Sequence, residues 1–99
     1  DVDMQNLRST GDSIRNRMGN GVIILASGKE GKANLVVMAT PEAVKKGAHA
    51  GNIVREAAKV VDGGGGGRPE MAQAGGKNAE KIDEALKVGM QVVRRQLGN

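Results

Sequence analysis

The sequence predicts an α/β fold: one small domain, residues 1–99, in which a mixed β-sheet is packed by N-terminal, middle and C-terminal helices. Three observations support this prediction. Helical periodicity marks three parts of the chain, two apolar runs rich in β-branched residues lie between the first two helices, and a glycine-rich loop precedes a segment that fits a short third strand. Because the chain has no Phe, Trp or Tyr, its core must consist of Val, Ile, Leu, Met and Ala.

The first element is an amphipathic helix from Asp3 to Met18. Apolar or small residues recur there at spacings of three and four, which places them on one side of a helix: Met4, Leu7, Gly11, Ile14 and Met18. We expect this side to face the core and the segment Gly19–Gly21 to end the helix. Three arginines lie off the stripe and face either solvent or a phosphate backbone: Arg8, Arg15 and Arg17.

Two apolar runs, Val22–Ala26 and Ala33–Ala39, predict a β-hairpin whose loop is the polar segment Ser27–Lys32. Both runs are almost continuously apolar. Strands of this composition are usually covered on both faces, so we expect helices on either side of this hairpin.

The segment Thr40-Pro41-Glu42 marks a helix start, with a capping hydroxyl, a proline in the first turn and an acid near the positive end of the helix dipole. Gly47 predicts its end. A second helix then carries its apolar residues on one side: Ala50, Ile53, Val54, Ala57, Ala58 and Val61. If this helix crosses back over the sheet, Glu70–Ala74 forms a strand parallel to its neighbour, and the glycine-rich loop lies at a sheet end, where ligands commonly bind.

The last helix follows Asn78, which can cap it. Its predicted apolar stripe consists of Ile82, Leu86, Gly89 or Met90, Val93 and Leu97. Acidic residues lie early in the helix and Arg94 and Arg95 lie late, which matches the helix dipole. The stripe could pack on the sheet, on a second copy, or on another part of a longer protein.

Composition excludes several classes of site. The chain has no cysteine and one histidine, so disulfides, thiolate metal sites and histidine metal centres are not expected. No apolar run approaches the roughly 20 residues that span a bilayer, and no secretory signal is visible, which favours a cytoplasmic protein. No serine or cysteine has a plausible base, so we expect no catalytic site. The chain begins at Asp1 without a methionine, which suggests a fragment of a longer protein.

The net charge of +4 favours polyanionic partners. Common RNA-binding modules stack bases on aromatic rings, and this chain has none. Any contact with nucleic acid must therefore use backbone amides, lysine and arginine. Lys45 and Lys46 are either solvated or in contact with an RNA backbone.

The glycine-rich segment Asp62–Lys77 contains five consecutive glycines and a later pair, Gly75-Gly76. It is either a flexible linker or an ordered loop whose outward amides bind an anion such as phosphate. Two nucleotide-binding motifs fail here. Met71 and Asn78 stand where a Walker loop requires glycine and a hydroxyl, and no register of the run gives G-x-G-x-x-G.

The string GGGGGRPEMAQAGG, preceded in order by LRSTGDSIRNR, GVIILAS, KANLVVMAT and GAHAGNIVREAAKVV, closely resembles the C-terminal, DHH-associated domain of bacterial-type alanyl-tRNA synthetases. The resemblance covers nearly the whole chain. The related DHH-class phosphoesterases typically have Gly-Gly-His in this loop, whereas the single histidine here, His49, lies upstream.

The resemblance implies a non-catalytic module that binds the elbow of alanine tRNA and helps present that tRNA to the aminoacylation and editing sites of the parent ligase. It implies ATP, magnesium and an editing zinc for the parent only, with no cofactor in this domain. Two alternatives remain: a structural or homodimerisation module of the synthetase, and the substrate-binding domain of a DHH-class phosphoesterase.

The candidate nucleic-acid-binding residues surround the glycine-rich segment: Gly63, Gly64, Gly65, Gly66, Gly67, Arg68, Gln73, Gly75, Gly76, Lys77 and His49. Arg68, restrained by Pro69, could pair with phosphate or with a nearby acid such as Asp62 or Glu70. His49 could meet a phosphate or a partner chain, or make one structural hydrogen bond.

Overall fold

Every predicted helix and strand segment is present, and one further strand lies where a loop was expected. The computed structural model describes residues 3–98. Along the chain the elements are α1 (Met4–Arg17), β1 (Val22–Lys29), β2 (Lys32–Ala39), α2 (Pro41–Lys45), α3 (Ala50–Val60), β3 (Gly64–Gly67), β4 (Met71–Gly76), a 3-10 turn (Ala79–Lys81) and α4 (Ile82–Leu97). This confirms a small α/β domain built from a hairpin, later short strands and helices from all three parts of the chain.

The sheet is antiparallel throughout, with strand order β1-β2-β4-β3, so the predicted mixed sheet with a parallel third strand was wrong. The crossover through α3 does return the chain in the direction of β2. The strand that follows α3, however, is the glycine run itself, β3. It is separated from β2 by the position that β4 occupies. The chain then reverses at Arg68–Glu70, and β4 fills the gap between them, antiparallel to both neighbours.

The β1–β2 turn is shorter than predicted. Only Glu30 and Gly31 lie outside the strands, with φ values of 53° and 81°. Positive φ at both central residues is the pattern of a two-residue turn whose twist matches that of the flanking strands. The polar residues from Ser27 to Lys29 therefore continue β1 instead of forming the loop.

Helices cover the two faces of the sheet unequally. On one face α3 and α4 bury Leu35 and Val37 together with Ile53 and Val54 of α3. On the other face α1 packs over β1 and β2 in a cluster of Leu7, Ile23, Val36 and Met38. The prediction that the first hairpin is covered on both sides is confirmed.

The expected apolar stripe of α3 is buried as predicted, whereas the stripes of two other helices are only partly as expected. Ile14 of α1 is 39% exposed. Of the two alternatives on α4, Gly89 is buried and Met90 is 47% exposed, while the predicted Ile82, Val93 and Leu97 are partly buried against the core. The buried residues of α4 are Ala85, Gly89 and Val92, because small side chains bring the helix close to the sheet: a Cβ at Gly89 would lie 3.1 Å from Ile24 Cδ1. The side chain of Asn78 makes no capping hydrogen bond.

Helix α3 holds both ends of the β3–β4 hairpin. At the open end, Gly63 N donates to Ala58 O (2.9 Å) and Lys77 N donates to Val61 O (2.8 Å). At the turn, the first amides of α3 donate to two carbonyls: Ala50 N to Pro69 O at 2.8 Å, and Gly51 N to Arg68 O at 3.2 Å. The glycine run is therefore an ordered edge strand and not a linker.

Alternate glycines of the run are required by the fold. A Cβ at Gly65 would overlap the Gln73 carbonyl oxygen and lie 2.5 Å from the Cα of Ala74. A Cβ at Gly67 would lie 2.7 Å from the Met71 carbonyl oxygen, and Gly67 has a φ of 157° that side chains disfavour. Gly63 faces the carbonyl of Gly75 in the same way. In contrast, a Cβ at Gly64 or Gly66 meets no atom within 4 Å.

This alternation is testable with two alanine substitutions in one strand. We expect Gly65→Ala to lower the free energy of unfolding by about 1–3 kcal/mol, as forced overpacking does. We expect Gly66→Ala to leave it unchanged or to raise it by about 0.4–1 kcal/mol, because alanine restricts the unfolded chain. Urea denaturation followed by circular dichroism measures both. Equal losses at the two positions would contradict the steric assignment.

The N-terminus of α3 is capped by a histidine side chain. His49 Nδ1 accepts a hydrogen bond from Asn52 N (3.1 Å), and the His49 backbone is held by the Gln96 side chain of α4, with His49 N donating to Oε1 at 2.9 Å and Nε2 donating to His49 O at 3.3 Å. His49 therefore joins the start of α3 to the end of α4, and its structural hydrogen bond is present.

Loss of this cap should reduce stability. We expect His49→Ala to lower the free energy of unfolding by about 0.5–2 kcal/mol, the usual range for a lost N-cap. His49→Asn keeps a capping acceptor and should lose clearly less in the same denaturation experiment. Equal losses would show that the ring acts through packing and not as a cap.

Candidate nucleic-acid interface

Part of one sheet face is open and almost free of side chains. Gly64 pairs with Gly75 and Gly66 pairs with Gln73, and paired residues project to the same side of a sheet. This side is the one that α1 covers over β1 and β2, since Gln73 is also paired with the buried Val36. We call the four residues Gly64, Gly66, Gln73 and Gly75 the glycine face.

The packing of the domain does not require glycine at three positions of this face. A Cβ at Gly64 or Gly66 would meet open space, and at Gly75 its nearest neighbour would be Ala33 O at an ordinary 3.7 Å. Glycine in a strand costs conformational entropy on folding, about 0.5–1 kcal/mol relative to alanine. Packing within the domain therefore does not explain why these positions lack side chains. Their absence leaves the peptide backbone accessible to a ligand.

The backbone polar groups of β3 divide between the sheet and its edge. Arg68 N donates to Met71 O at 3.0 Å, and in an antiparallel pair every second residue exchanges such bonds. Gly66 and Gly64 are the next positions in this alternation, so their amides face β4. The N–H groups of Gly65 and Gly67 point away from β4, toward the open edge of the sheet. The site thus presents a flat peptide face and two edge amides.

Cationic side chains stand at two borders of the glycine face. A groove between α1 and β4 is lined by Met4, Gln5, Arg8, Ser9, Asp12 and Gln73. A second groove, at the end of the strands, is lined by Lys32, Ala33, Asn34, Asp62, Gly63, Gly75, Gly76 and Lys77. Sequence reasoning placed Lys77 in the site, left Arg8 open between solvent and a phosphate backbone, and did not propose Lys32 as a binding residue. Arg8 could have been found from its spacing of four from Met4 and Asp12, which puts all three on one side of α1.

The remaining predicted residues lie around this face. Arg68 Nε lies 3.1 Å from Glu70 Oε1, so Arg68 has an internal partner, although its side chain is 77% exposed. Gly76 faces inward, where a Cβ would overlap Val61. His49 lies behind the edge of β3: a Cβ at Gly51 would be 2.9 Å from His49 Cε1 and 2.6 Å from Gly67 O, so ring and carbonyl border the same glycine.

Several cations away from the glycine face are already paired. Lys45 Nζ lies 3.8 Å from Glu42 Oε1, and Lys59 Nζ lies 2.9 Å from Glu56 Oε2. The hydrogen bond from Lys59, together with its charge, holds the pKa of Glu56 below its usual value. Both pairs are exposed and lie within single helices, which is typical of solvated helix surfaces.

Residues 3–98 contain no group of three or more His, Cys, Asp or Glu side chains placed to hold a metal ion. None of the helices in this part of the chain is long and apolar enough to cross a membrane.

Comparison with known proteins identifies the family. A family model of the DHHA1 domain matches residues 1–95. The alanine–tRNA ligase of Acetivibrio thermocellus is 63% identical over 95 residues, and that of Alkaliphilus oremlandii is 55% identical over 95 residues. Each alignment covers 96% of this chain and 11% of the ligase, so the chain spans about a ninth of the length of these relatives.

The fold has a close counterpart among solved structures. The crystal structure of the C-Ala domain from Aquifex aeolicus alanyl-tRNA synthetase superimposes with a TM-score of 0.83 at 36% identity, covering 98% of this chain and 84% of that one. The matched part of these ligases is their C-terminal, non-catalytic module. By sequence and by fold, the chain belongs to the DHHA1 domain family, in the branch formed by the C-terminal domains of alanyl-tRNA synthetases.

Proposed function

We propose that this domain binds structured RNA on its glycine face, and that within a synthetase it engages the elbow of alanine tRNA and helps present that tRNA to the aminoacylation and editing sites. Such a parent would act in the cytoplasm, with its ATP, magnesium and editing zinc bound in other domains. The family of the chain supports the tRNA partner. The proposed location of the site rests on three glycines, Gly64, Gly66 and Gly75, that the packing of the domain does not require.

A sheet face without side chains suits a broad, flat ligand surface. A folded RNA is covered by sugar, phosphate and exposed base edges, and it can approach a peptide backbone closely only where no Cβ intervenes. Gln73 is the one side chain of the glycine face and offers an amide donor and acceptor to such a surface. Because the chain has no aromatic residue, we expect binding through shape and backbone contacts, with little discrimination between sequences.

The charge distribution agrees with an RNA partner. The net charge is +4, and Arg8, Lys32 and Lys77 line the two grooves that open beside the glycine face. Each phosphate contact by a cation releases counterions, so affinity should fall steeply as the salt concentration rises. Specificity for alanine tRNA over an unrelated tRNA should be modest in the isolated domain, because tRNAs share the shape of their elbow.

Adding a side chain to the glycine face should block this binding. We expect Gly66→Val and Gly75→Val each to weaken binding of an alanine tRNA transcript about tenfold or more, the equivalent of about 1.4 kcal/mol. The reason is steric: a branched side chain would hold the RNA off the backbone. The dissociation constant is measured by filter binding at low salt, and unfolding is measured alongside.

The matched control is Gly19→Val, since a Cβ at Gly19 also meets no atom within 4 Å but lies in the α1–β1 connection. It should bind as the unmodified chain does. If Gly66→Val and Gly75→Val fold and bind RNA as tightly as this control, the glycine face is not the interface. Gly65 is unsuitable for this test, because a side chain there would overlap the backbone of β4 and damage the strand itself.

A homodimerisation role is a second candidate, favoured by one observation on α4. Met90 is 47% exposed, and the surface groove around it is lined by Leu86, Lys87, Gln91 and Arg94. A purely structural module would self-associate and would not bind RNA at physiological salt. Sedimentation over a range of concentrations, run on the same samples, separates the two roles. The third alternative, a phosphoesterase substrate domain, is disfavoured by the identity to alanine–tRNA ligases.

A further inference from the structure

We propose that Arg8 of α1 pairs with a phosphate of the RNA that lies on the glycine face, so that α1 forms one wall of the binding site. This inference rests on the proposed function. It adds to the proposed binding site a helix that lies far from the glycine run in the sequence. It also predicts which of the exposed arginines of α1 contacts the RNA.

The first argument is position. Met4, Arg8 and Asp12 are spaced by four and line the side of α1 that faces β4, with Gln73 on the opposite wall of the groove. Gln73 is itself part of the glycine face and is paired with Gly66. A strand of RNA lying against Gly66 therefore passes beside this flank of α1.

The second argument is charge. The acid of the groove, Asp12, is engaged by Arg15, whose Nη2 lies 3.1 Å from Asp12 Oδ1. Among the residues that the structure describes, Arg8 has no carboxylate within ion-pair distance, whereas Arg15 and Arg68 both do. Its exposed guanidinium is thus available to an outside anion, and guanidinium pairs with phosphate through two parallel hydrogen bonds.

The third argument is the contrast with Arg17 on the same helix. Nine residues separate the two arginines, which is a rotation of roughly 180° about the helix axis and a rise of about 13 Å. Arg17 is exposed and lines neither of the grooves beside the glycine face. The two side chains therefore carry the same charge on opposite sides of α1, which makes Arg17 a matched control.

The experiment measures binding of an alanine tRNA transcript to the 99-residue chain and to three variants, Arg8→Ala, Arg8→Lys and Arg17→Ala, from about 0.05 to 0.2 M salt. We expect Arg8→Ala to weaken binding about 5- to 10-fold at the lowest salt and to reduce the slope of log K against log salt by about one, as the loss of one phosphate contact does. Arg8→Lys should restore most of the slope but not all of the affinity, because lysine lacks the two-pronged geometry.

Arg17→Ala should keep both affinity and slope within about twofold of the unmodified chain, since it removes the same net charge from the opposite side of the helix. If Arg8→Ala and Arg17→Ala behave alike while Gly66→Val still weakens binding, the Arg8 contact is overturned and the glycine face stands. If the unmodified chain does not bind the transcript at the lowest salt, both proposals fail together. Unfolding curves of the variants, expected to coincide, show that a loss of affinity is not a loss of fold.

Discussion

The structure depends on the hydrogen bonds by which α3 holds the β3–β4 hairpin at both of its ends. Five adjacent glycines would otherwise sample a very large conformational space, and ordering them is costly. Ala58 and Val61 accept amides at the open end of the hairpin, while the first amides of α3 donate to carbonyls of its turn. The same bonds give partners to the amides of Ala50 and Gly51 and to the carbonyl of Val61, groups at the two helix ends that an isolated helix leaves unpaired. Helix α3 thus fixes the position of a strand that has no side chains. Its first two amides are hydrogen-bonded to the turn of the hairpin as a result.

The glycines of the β3–β4 hairpin fall into two classes, and glycine is present in each class for a different physical reason. Gly63, Gly65 and Gly67 lie where a Cβ would strike the backbone of β4, so any other residue there would force the two strands to shift. Gly64 and Gly66, together with Gly75 on the neighbouring strand, have free space above them. The first class explains how the strand packs. Packing does not explain the second class, and the proposed RNA-binding site rests on these glycines of one face.

The unequal cover of the sheet makes that face available. Helices α3 and α4 pack along one side, but α1 extends over β1 and β2 and leaves β4 and β3 open beyond it. Because α1 ends before the edge of the sheet, its outer side chains border the uncovered surface of β4 and β3. A ligand on that surface would therefore lie beside them. Arg8 is one of these side chains, and the groove at the strand ends carries Lys32 and Lys77. Charge of this kind steers a polyanion and fixes its position without reading bases.

The sequence by itself determined the local elements and the family: the cap at Thr40, the buried side of α3, the two apolar strands and the string GGGGGRPEMAQAGG all depend on neighbours along the chain. Only the tertiary structure decided the rest. Five glycines carry no side-chain periodicity, so nothing local could reveal that they form a strand or that β4 runs antiparallel between two others. The ion pair of Arg68 with Glu70, the hydrogen bonds between His49 and Gln96, and the position of Arg8 and Gln73 on one groove all depend on how the whole chain packs. Such contacts arise from the three-dimensional path of the backbone, which periodicity and spacing do not encode.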